Sequence, residues 1–227
     1  MAVNDWRIVV MGVSGCGKSS VGIALAEALG ARFIDGDDLH PEANKAKMGA
    51  GIPLDDSDRW PWLDLVGQAL AEEVSEISGH AFSGTVIACS ALKRVYRDRI
   101  RTAAPGTFMV HLDGSRDLLE RRLGARTGHF MPATLLDSQL AILEPLEFDE
   151  PGCVLNVKDP ISDLVAQARQ VASNIFWSFT TSLGNFILHT RPVIIITAAR
   201  FAWRDIDREG EVQQKERKAR DIVISSS

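Results

Sequence analysis

The strongest constraint on this chain is the octapeptide Gly12-Val13-Ser14-Gly15-Cys16-Gly17-Lys18-Ser19. A short β-branched run, Ile8-Val9-Val10, precedes it. After it Val21, Ala24, Leu25, Ala28 and Leu29 recur at helical spacing until Gly30 supplies a stop. Strand, Gly-x-x-x-x-Gly-Lys-Ser and helix are three independent conditions met together, and they predict a phosphate-binding loop. Glycines let the backbone wrap an anion without Cβ clashes, and amide N–H groups with the helix N-terminus direct positive dipole at it. On this reading the nine residues Gly12, Val13, Ser14, Gly15, Cys16, Gly17, Lys18, Ser19 and Ser20 hold a nucleoside triphosphate. Lys18 reaches the β- and γ-phosphates and Ser19 ligates Mg²⁺.

Four further segments read as strands: Arg32-Phe33-Ile34-Asp35, Thr85 to Cys89, Thr107 to Leu112, and Cys153 to Val157. Helical spacing covers Glu42 to Met48, Trp62 to Ser78, Leu92 to Thr102, Leu118 to Leu123 and Pro160 to Ser173. Strands alternate with helices throughout. That predicts an α/β, three-layer P-loop fold with a mostly parallel five-stranded sheet and helices on both faces. At 227 residues, 45% hydrophobic and 24% charged, the chain suits one such domain plus an extension.

A net charge of -5 gives no general attraction to nucleic acid or to an acidic membrane surface. Cys16, Cys89 and Cys153 show neither metal-ligand spacing nor a disulfide framework, which fits a reducing compartment. The N-terminus lacks a basic n-region and a long apolar stretch, so the expected location is cytoplasmic.

A phosphate loop alone suits a GTPase switch, an ATPase motor or a small-molecule kinase. Motors and switches usually carry an apolar strand ending in Asp, but Val86-Ile87-Ala88-Cys89 runs into Ser90. Attention therefore moves to Asp35-Gly36-Asp37-Asp38, at the end of a strand on the same sheet edge. One carboxylate there can orient a Mg²⁺ shell and a second can take a proton from an attacking hydroxyl. The competing reading is an exposed acidic turn.

The segments that follow carry a resemblance. Gly12 to Ser20 is joined by Asp35-Gly36-Asp37-Asp38-Leu39-His40-Pro41, Met48-Gly49, Gly51-Ile52-Pro53-Leu54-Asp55-Asp56 and Asp58-Arg59-Trp60-Pro61-Trp62-Leu63. Cys89-Ser90-Ala91-Leu92-Lys93-Arg94, Tyr96-Arg97-Asp98, Gly128-His129-Phe130-Met131-Pro132, Leu135-Leu136-Asp137-Ser138-Gln139 and Leu143-Glu144 complete the set. From about Trp6 to about Val171 the chain resembles the gluconate kinase (gluconokinase) family, which shares its fold group with shikimate kinase and the nucleoside monophosphate kinases. The resemblance implies transfer of the ATP γ-phosphoryl group to the 6-hydroxyl of D-gluconate. It implies Asp37 as the residue that contacts and deprotonates that hydroxyl, and Asp35, with Ser19, as the Mg²⁺-shell residues. Homodimerisation is an expectation of the family alone.

Gluconate carries a carboxylate and five hydroxyls, so its pocket should combine cations with hydroxyl-binding side chains. Arg59, Lys93, Arg94 and Arg97 supply cations, and His40, Asp37 and Ser90 can serve hydroxyls. The like-charged i,i+4 pairs Lys93–Arg97 and Arg97–Arg101 are unfavourable on a free helix, which points to an anion nearby. Ser90-Ala91-Leu92, read as a helix start, offers free N–H groups as a further anion site. In the basic, Gly-punctuated stretch Arg121 to His129, Arg122 and Arg126 are expected to close over ATP as lid arginines, within a lid of about residues 122–145. His129 lies beside them in the family motif. Pro160 and its neighbours are expected at the adenine.

Residues 1–175 thus form the expected kinase domain and 176–227 an atypical extension. His189, Arg191 and Pro192 interrupt the apolar part of that extension, so no run is long enough to span a membrane. Arg204 to Arg220 is densely charged and reads as a solvated helix or disordered tail. A docking element and a non-homologous tail both remain open readings of it.

Overall fold

The computed structural model describes residues 6–73, 76–77, 80–125 and 133–182. Its strands are β1 (Trp6–Met11), β2 (Arg32–Asp35), the two-residue β3 (Glu76–Ile77) and β4 (His80–Ala81), β5 (Gly84–Ala88), β6 (Phe108–Asp113) and β7 (Gly152–Asn156). Five of them form one sheet in the order β2-β5-β1-β6-β7, with every neighbouring pair parallel. β3 and β4 pair antiparallel outside it. The helices are α1 (Lys18–Leu29), α2 (Glu42–Gly49), α3 (Asp56–Ala71), α4 (Arg94–Ala103), α5 (Arg116–Gly124), α6 (Ala133–Ile142) and α7 (Ile161–Ser182).

Alternation along β1 explains the three layers. Ile8 and Val10 point into a core shared with Val21 and Leu25 of α1, Leu119 of α5 and Leu164 of α7. Val9 and Met11 point the other way, against Leu63 and Val66 of α3 and Ile100 of α4. A central parallel strand buried on both faces reads as a continuous apolar run, and β1 does. Burying each such aliphatic side chain contributes about 1.5–3 kcal/mol. The register aligns Asp35 of β2 with Ala88 of β5, and Ala88 with Val10 of β1. The phosphate loop, the acidic turn and Ser90 therefore leave the sheet together at its carboxyl edge, where ligands of open α/β sheets bind.

The boundaries of three helices, α3, α4 and α7, depart from the sequence reading. α3 begins at Asp56 rather than Trp62, because Asp55 caps it and Asp58 completes a reciprocal capping box. Pro61 then sits in its second turn, forgoing one backbone bond instead of marking the start. α3 also ends at Ala71, although Val74 and Ile77 carry the apolar spacing further, and Glu76–Ile77 is strand. α4 begins at Arg94, so Ser90-Ala91-Leu92 precede the helix instead of opening it. α7 continues to Ser182, with Leu164, Ala168 and Ala172 seating it in the core. Residues 183–227, most of the expected extension, lie outside the described residues.

Candidate active site

Gly12 adopts φ +136°, and a Cβ there would stand 2.7 Å from the Leu112 carbonyl oxygen, so the loop enters through a gap that only glycine fits. Gly17 has φ +96° and open space where a Cβ would point. It is the N-cap of α1, and no side chain caps that helix end. Uncapped N–H groups beside open space suit an anion. Lys18 Nζ donates to the Val13 carbonyl at 3.1 Å and so lies back over its own loop.

Ser19 Oγ donates to Asp35 Oδ2 at 2.9 Å, while Asp35 Oδ1 accepts from the Asp37 backbone N–H at 3.1 Å. Both oxygens of Asp35 are thus engaged, and the second bond caps a 3₁₀ turn over Gly36–Leu39 that sets Asp37 beside it. Loss of hydration at this edge raises the Asp37 carboxyl above its ordinary 3.8; Asp35 and Asp38 add to the rise and Lys18 opposes it. Burial pushes the Cys89 thiol, at the end of β5, up to about 12, and Asp37, Lys18 and Asp35 all act on it. Phosphate-loop lysine and acidic turn therefore share one neighbourhood. Among the described residues no three His, Cys, Asp or Glu side chains gather as a metal site. Ser19 Oγ and Asp35 Oδ2, 2.9 Å apart, are hard oxygen donors that suit Mg²⁺, which binds through one or two protein oxygens plus substrate phosphates rather than in an all-protein cage.

On the other side of the loop a cavity of about 280 Å³ is lined by Gly15, Gly17, Ser20, Arg122, Asp159 and Ile161, among others. Arg122 Nη2 donates to the Val157 carbonyl at 2.7 Å, which holds the guanidinium at the cavity wall. Arg126 and His129 lie outside the described residues.

The acceptor-side residues group around α3. His40 stacks on Trp62 with ring centroids 4.1 Å apart, and Trp62 Nε1 donates to the Gly36 carbonyl at 2.7 Å. Asn44 Nδ2 donates to the Asp58 carbonyl at 2.8 Å, which fixes its amide orientation, and lies 3.2 Å from His40 Nδ1. His40 Nδ1 is therefore the acceptor, and its Nε2 carries the proton. Burial, with Arg59 and Lys45 nearby, lowers the imidazole to about 4, so it is neutral. Lys93 Nζ lies 2.9 Å from both oxygens of Asp56, and Arg59 Nη1 lies 3.9 Å from one of them. The Tyr96 hydroxyl also donates to Asp56 at 2.5 Å. Tyr96 and Lys93 together hold that carboxyl below its ordinary 3.8.

Two expectations need correction. Arg97 does not face an acceptor: its side chain has 0% exposure and pairs with Glu150 at 2.7 Å. Its remaining donors go to the carbonyls of Ala91, Leu92, Glu144 and Pro145. The anions implied by the like-charged helix spacing are the protein's own: Asp56 for Lys93, Glu150 for Arg97, Asp98 for Arg101. Likewise Ser90 does not open an anion-binding helix end. Its carbonyl accepts from Gly12 N–H at 3.3 Å, and the N–H of Arg94 is taken by the Glu144 carboxylate. Sequence reasoning passed over Asp56, Asn44 and Gln139, whose side-chain oxygen accepts from the Ser14 N–H at 2.6 Å. Asp56 and Gln139 stand inside the segments that carry the family resemblance, the signal that marks them, whereas the sequence offers none for Asn44.

Fold and site together define a P-loop kinase: a parallel sheet, a Gly-x-x-x-x-Gly-Lys-Ser loop and an acidic turn at one edge. A family model described as an AAA domain matches residues 8–146. The gluconokinase of Gluconobacter oxydans (strain 621H) is 52% identical over 151 residues, covering 66% of this chain and 82% of that protein. A probable gluconokinase of Xenopus tropicalis is 44% identical over 175 residues, covering 70% and 90%. The crystal structure of a gluconokinase from Sinorhizobium meliloti 1021 superposes with a TM-score of 0.70 at 44% identity, covering 79% of this chain and 98% of that one. The chain belongs to the gluconokinase family.

Proposed function

We propose that this enzyme transfers the γ-phosphoryl group of ATP to the 6-hydroxyl of D-gluconate, giving 6-phospho-D-gluconate and ADP. The observation that carries the reading is the 2.9 Å bond from Ser19 to Asp35, with Asp37 fixed beside it at the mouth of the phosphate loop. Ser19 and Asp35 would hold Mg²⁺, which when bound offsets phosphate charge. Gly12 to Ser20 cradle the phosphates, Lys18 turns from Val13 to the β,γ-bridge, and Arg122 lines the nucleoside side.

On the acceptor side Asp37 takes the proton of the 6-hydroxyl as its oxygen bonds to the γ-phosphorus and the bond to the β-phosphate oxygen breaks. A raised carboxyl is a better base than an ordinary one, provided it is ionised at working pH. Arg59 and Lys93, already converged on Asp56, receive the gluconate carboxylate, and the Nε2–H of neutral His40 donates to a hydroxyl. By the family motif Arg126 is the lid arginine proposed to offset charge on the transferred group. The three thiols are free, which suits a cytoplasmic enzyme.

A coupled ADP-release assay with gluconate, shikimate, glycerate and AMP tests the reading. ADP release with gluconate is expected; release with shikimate or AMP alone overturns the acceptor, and none with any acceptor favours a nucleotide-binding regulator.

A further inference from the structure

The phosphate loop is gripped from outside. Gln139 Oε1 accepts from the backbone N–H of Ser14 at 2.6 Å, across 125 residues of sequence. The N–H is a donor and nothing else, so the amide orientation is unambiguous: oxygen faces Ser14, and the NH₂ group is left over. Among the described residues that NH₂ has no partner.

Gln139 does not reach the loop by chance of rotamer. Leu136, three residues earlier and 1% exposed, and Leu140, one later, pack in the same core as Val13 and Cys16 of the loop and Leu119 and Leu123 of α5. Positions three and four apart share a helix face, so this anchoring turns Gln139 toward the loop. Asp137 adds a two-point pair with Arg116 of α5, at 2.7 and 3.1 Å. α6 is thus fixed on both sides of Gln139.

The end of the loop it grips is the end that meets the terminal phosphoryl group. Lys18, the side chain that serves the β- and γ-phosphates, sits 3.1 Å from the Val13 carbonyl, the residue before Ser14. We propose that Gln139 is a further catalytic residue: its oxygen holds the loop apex through Ser14, and its NH₂ group donates to the γ-phosphoryl oxygens. The proposal rests on the kinase reading above for its nucleotide.

Two substitutions in the full chain test it, read by ATP and ADP affinity and by turnover with gluconate. Gln139→Glu keeps an oxygen for Ser14 but replaces the donor with negative charge. ATP affinity should fall about tenfold or more while ADP affinity changes by less than about twofold. Gln139→Leu removes both groups; kcat should fall about 10- to 100-fold with little change in KM for gluconate. An unchanged ATP-to-ADP affinity ratio in Gln139→Glu overturns the proposal. So does tighter ATP binding in Gln139→Leu, which would mean the amide occupies the phosphate position and must be displaced. If Gln139→Leu melts at a much lower temperature, the affinity ratio of the isosteric Gln139→Glu decides alone. Should the unsubstituted chain bind ATP yet phosphorylate no acceptor, the kinase reading falls while the ratio still judges Gln139.

Discussion

Arg97 and Glu150 form a two-point ion pair, 2.7 Å at each contact, with no solvent exposure on either side chain. The pair ties α4 to the 144–150 loop, and the same guanidinium holds four backbone carbonyls on either side of it. One of these belongs to Ala91, a non-glycine residue at φ 42°, inside the turn that carries Ser90 and Lys93. Left-handed backbone costs a residue with a Cβ roughly 1–3 kcal/mol and persists only where its surroundings enforce it. Arg97 is part of that enforcement.

Arg97→Met should therefore destabilise the fold by about 3–5 kcal/mol in urea denaturation, since it strips the buried Glu150 carboxylate of its two-point partner and leaves only Arg101 at 3.2 Å and Arg94 at 3.6 Å beside it. Adding Glu150→Leu should recover part of the loss and not all, because the four carbonyls still lack their donor. Burial alone would raise the Glu150 carboxyl, but the Arg97 bonds, the Glu147 N–H and Arg101 outweigh it and leave it below its ordinary 4.5. A depressed carboxylate contributes stability above its unfolded value and loses it as pH falls through the folded one. The unsubstituted chain should lose stability progressively below about pH 4.5, and the Glu150→Gln variant should show a shallower decline.

The Asp37 carboxyl carries the opposite sign. Raised above 3.8 by lost hydration and by Asp35, it binds its proton more tightly folded than unfolded, so the ionised form at neutral pH opposes folding. Asp37→Asn should raise the melting temperature at pH 7 while turnover with gluconate collapses and ATP affinity holds. Near-normal turnover in Asp37→Asn would rule out the base assignment. The acid limb of kcat against pH in the unsubstituted enzyme should lie above the ordinary carboxylate value.

The contrast between Asp37 and Arg97 marks where the sequence was legible. The phosphate loop, the five strands and the acidic turn follow from local patterns: β-branched runs, glycine spacing, and an acid at a strand end. Their assembly at one edge follows from parallel topology, and the edge from the rule for open α/β sheets. Arg97 is a different case. Its partner stands 53 residues away on a loop without regular structure, so nothing local separates a buried structural guanidinium from one offered to a ligand. Gln139 to Ser14 spans 125 residues and was hidden for the same reason. The start of α3 was hidden by Pro61, which reads as a boundary until Asp55 and Asp58 are recognised as a capping box.

His40 gives a pH prediction in the acid range. Held neutral down to about pH 4 against an ordinary 6.5, it protonates more readily unfolded than folded. Its contribution to stability is complete above pH 6.5 and is lost as pH falls from there toward 4. His40→Gln should flatten stability over that window, by urea denaturation at fixed pH. It should also raise KM for gluconate more than it lowers kcat, since the residue binds a hydroxyl away from the transferred group; a change confined to KM for ATP would place His40 elsewhere in the site.

Every proposed contact to nucleotide or acceptor lies at or before the first turn of α7, and matched segments of 151 and 175 residues already account for 82% and 90% of two relatives. α7 itself belongs to the core, because Leu164, Ala168 and Ala172 are each 2% exposed or less. A chain ending at Ser182 should therefore keep gluconate-dependent ADP release and a single cooperative unfolding transition. One ending at Asp163 removes all three buried side chains, exposes the apolar face of α1 that they cover, and should fail to fold. Loss of activity in the Ser182 chain, with its helical circular dichroism intact, would assign residues 183–227 to the working enzyme and move the proposed domain boundary beyond them.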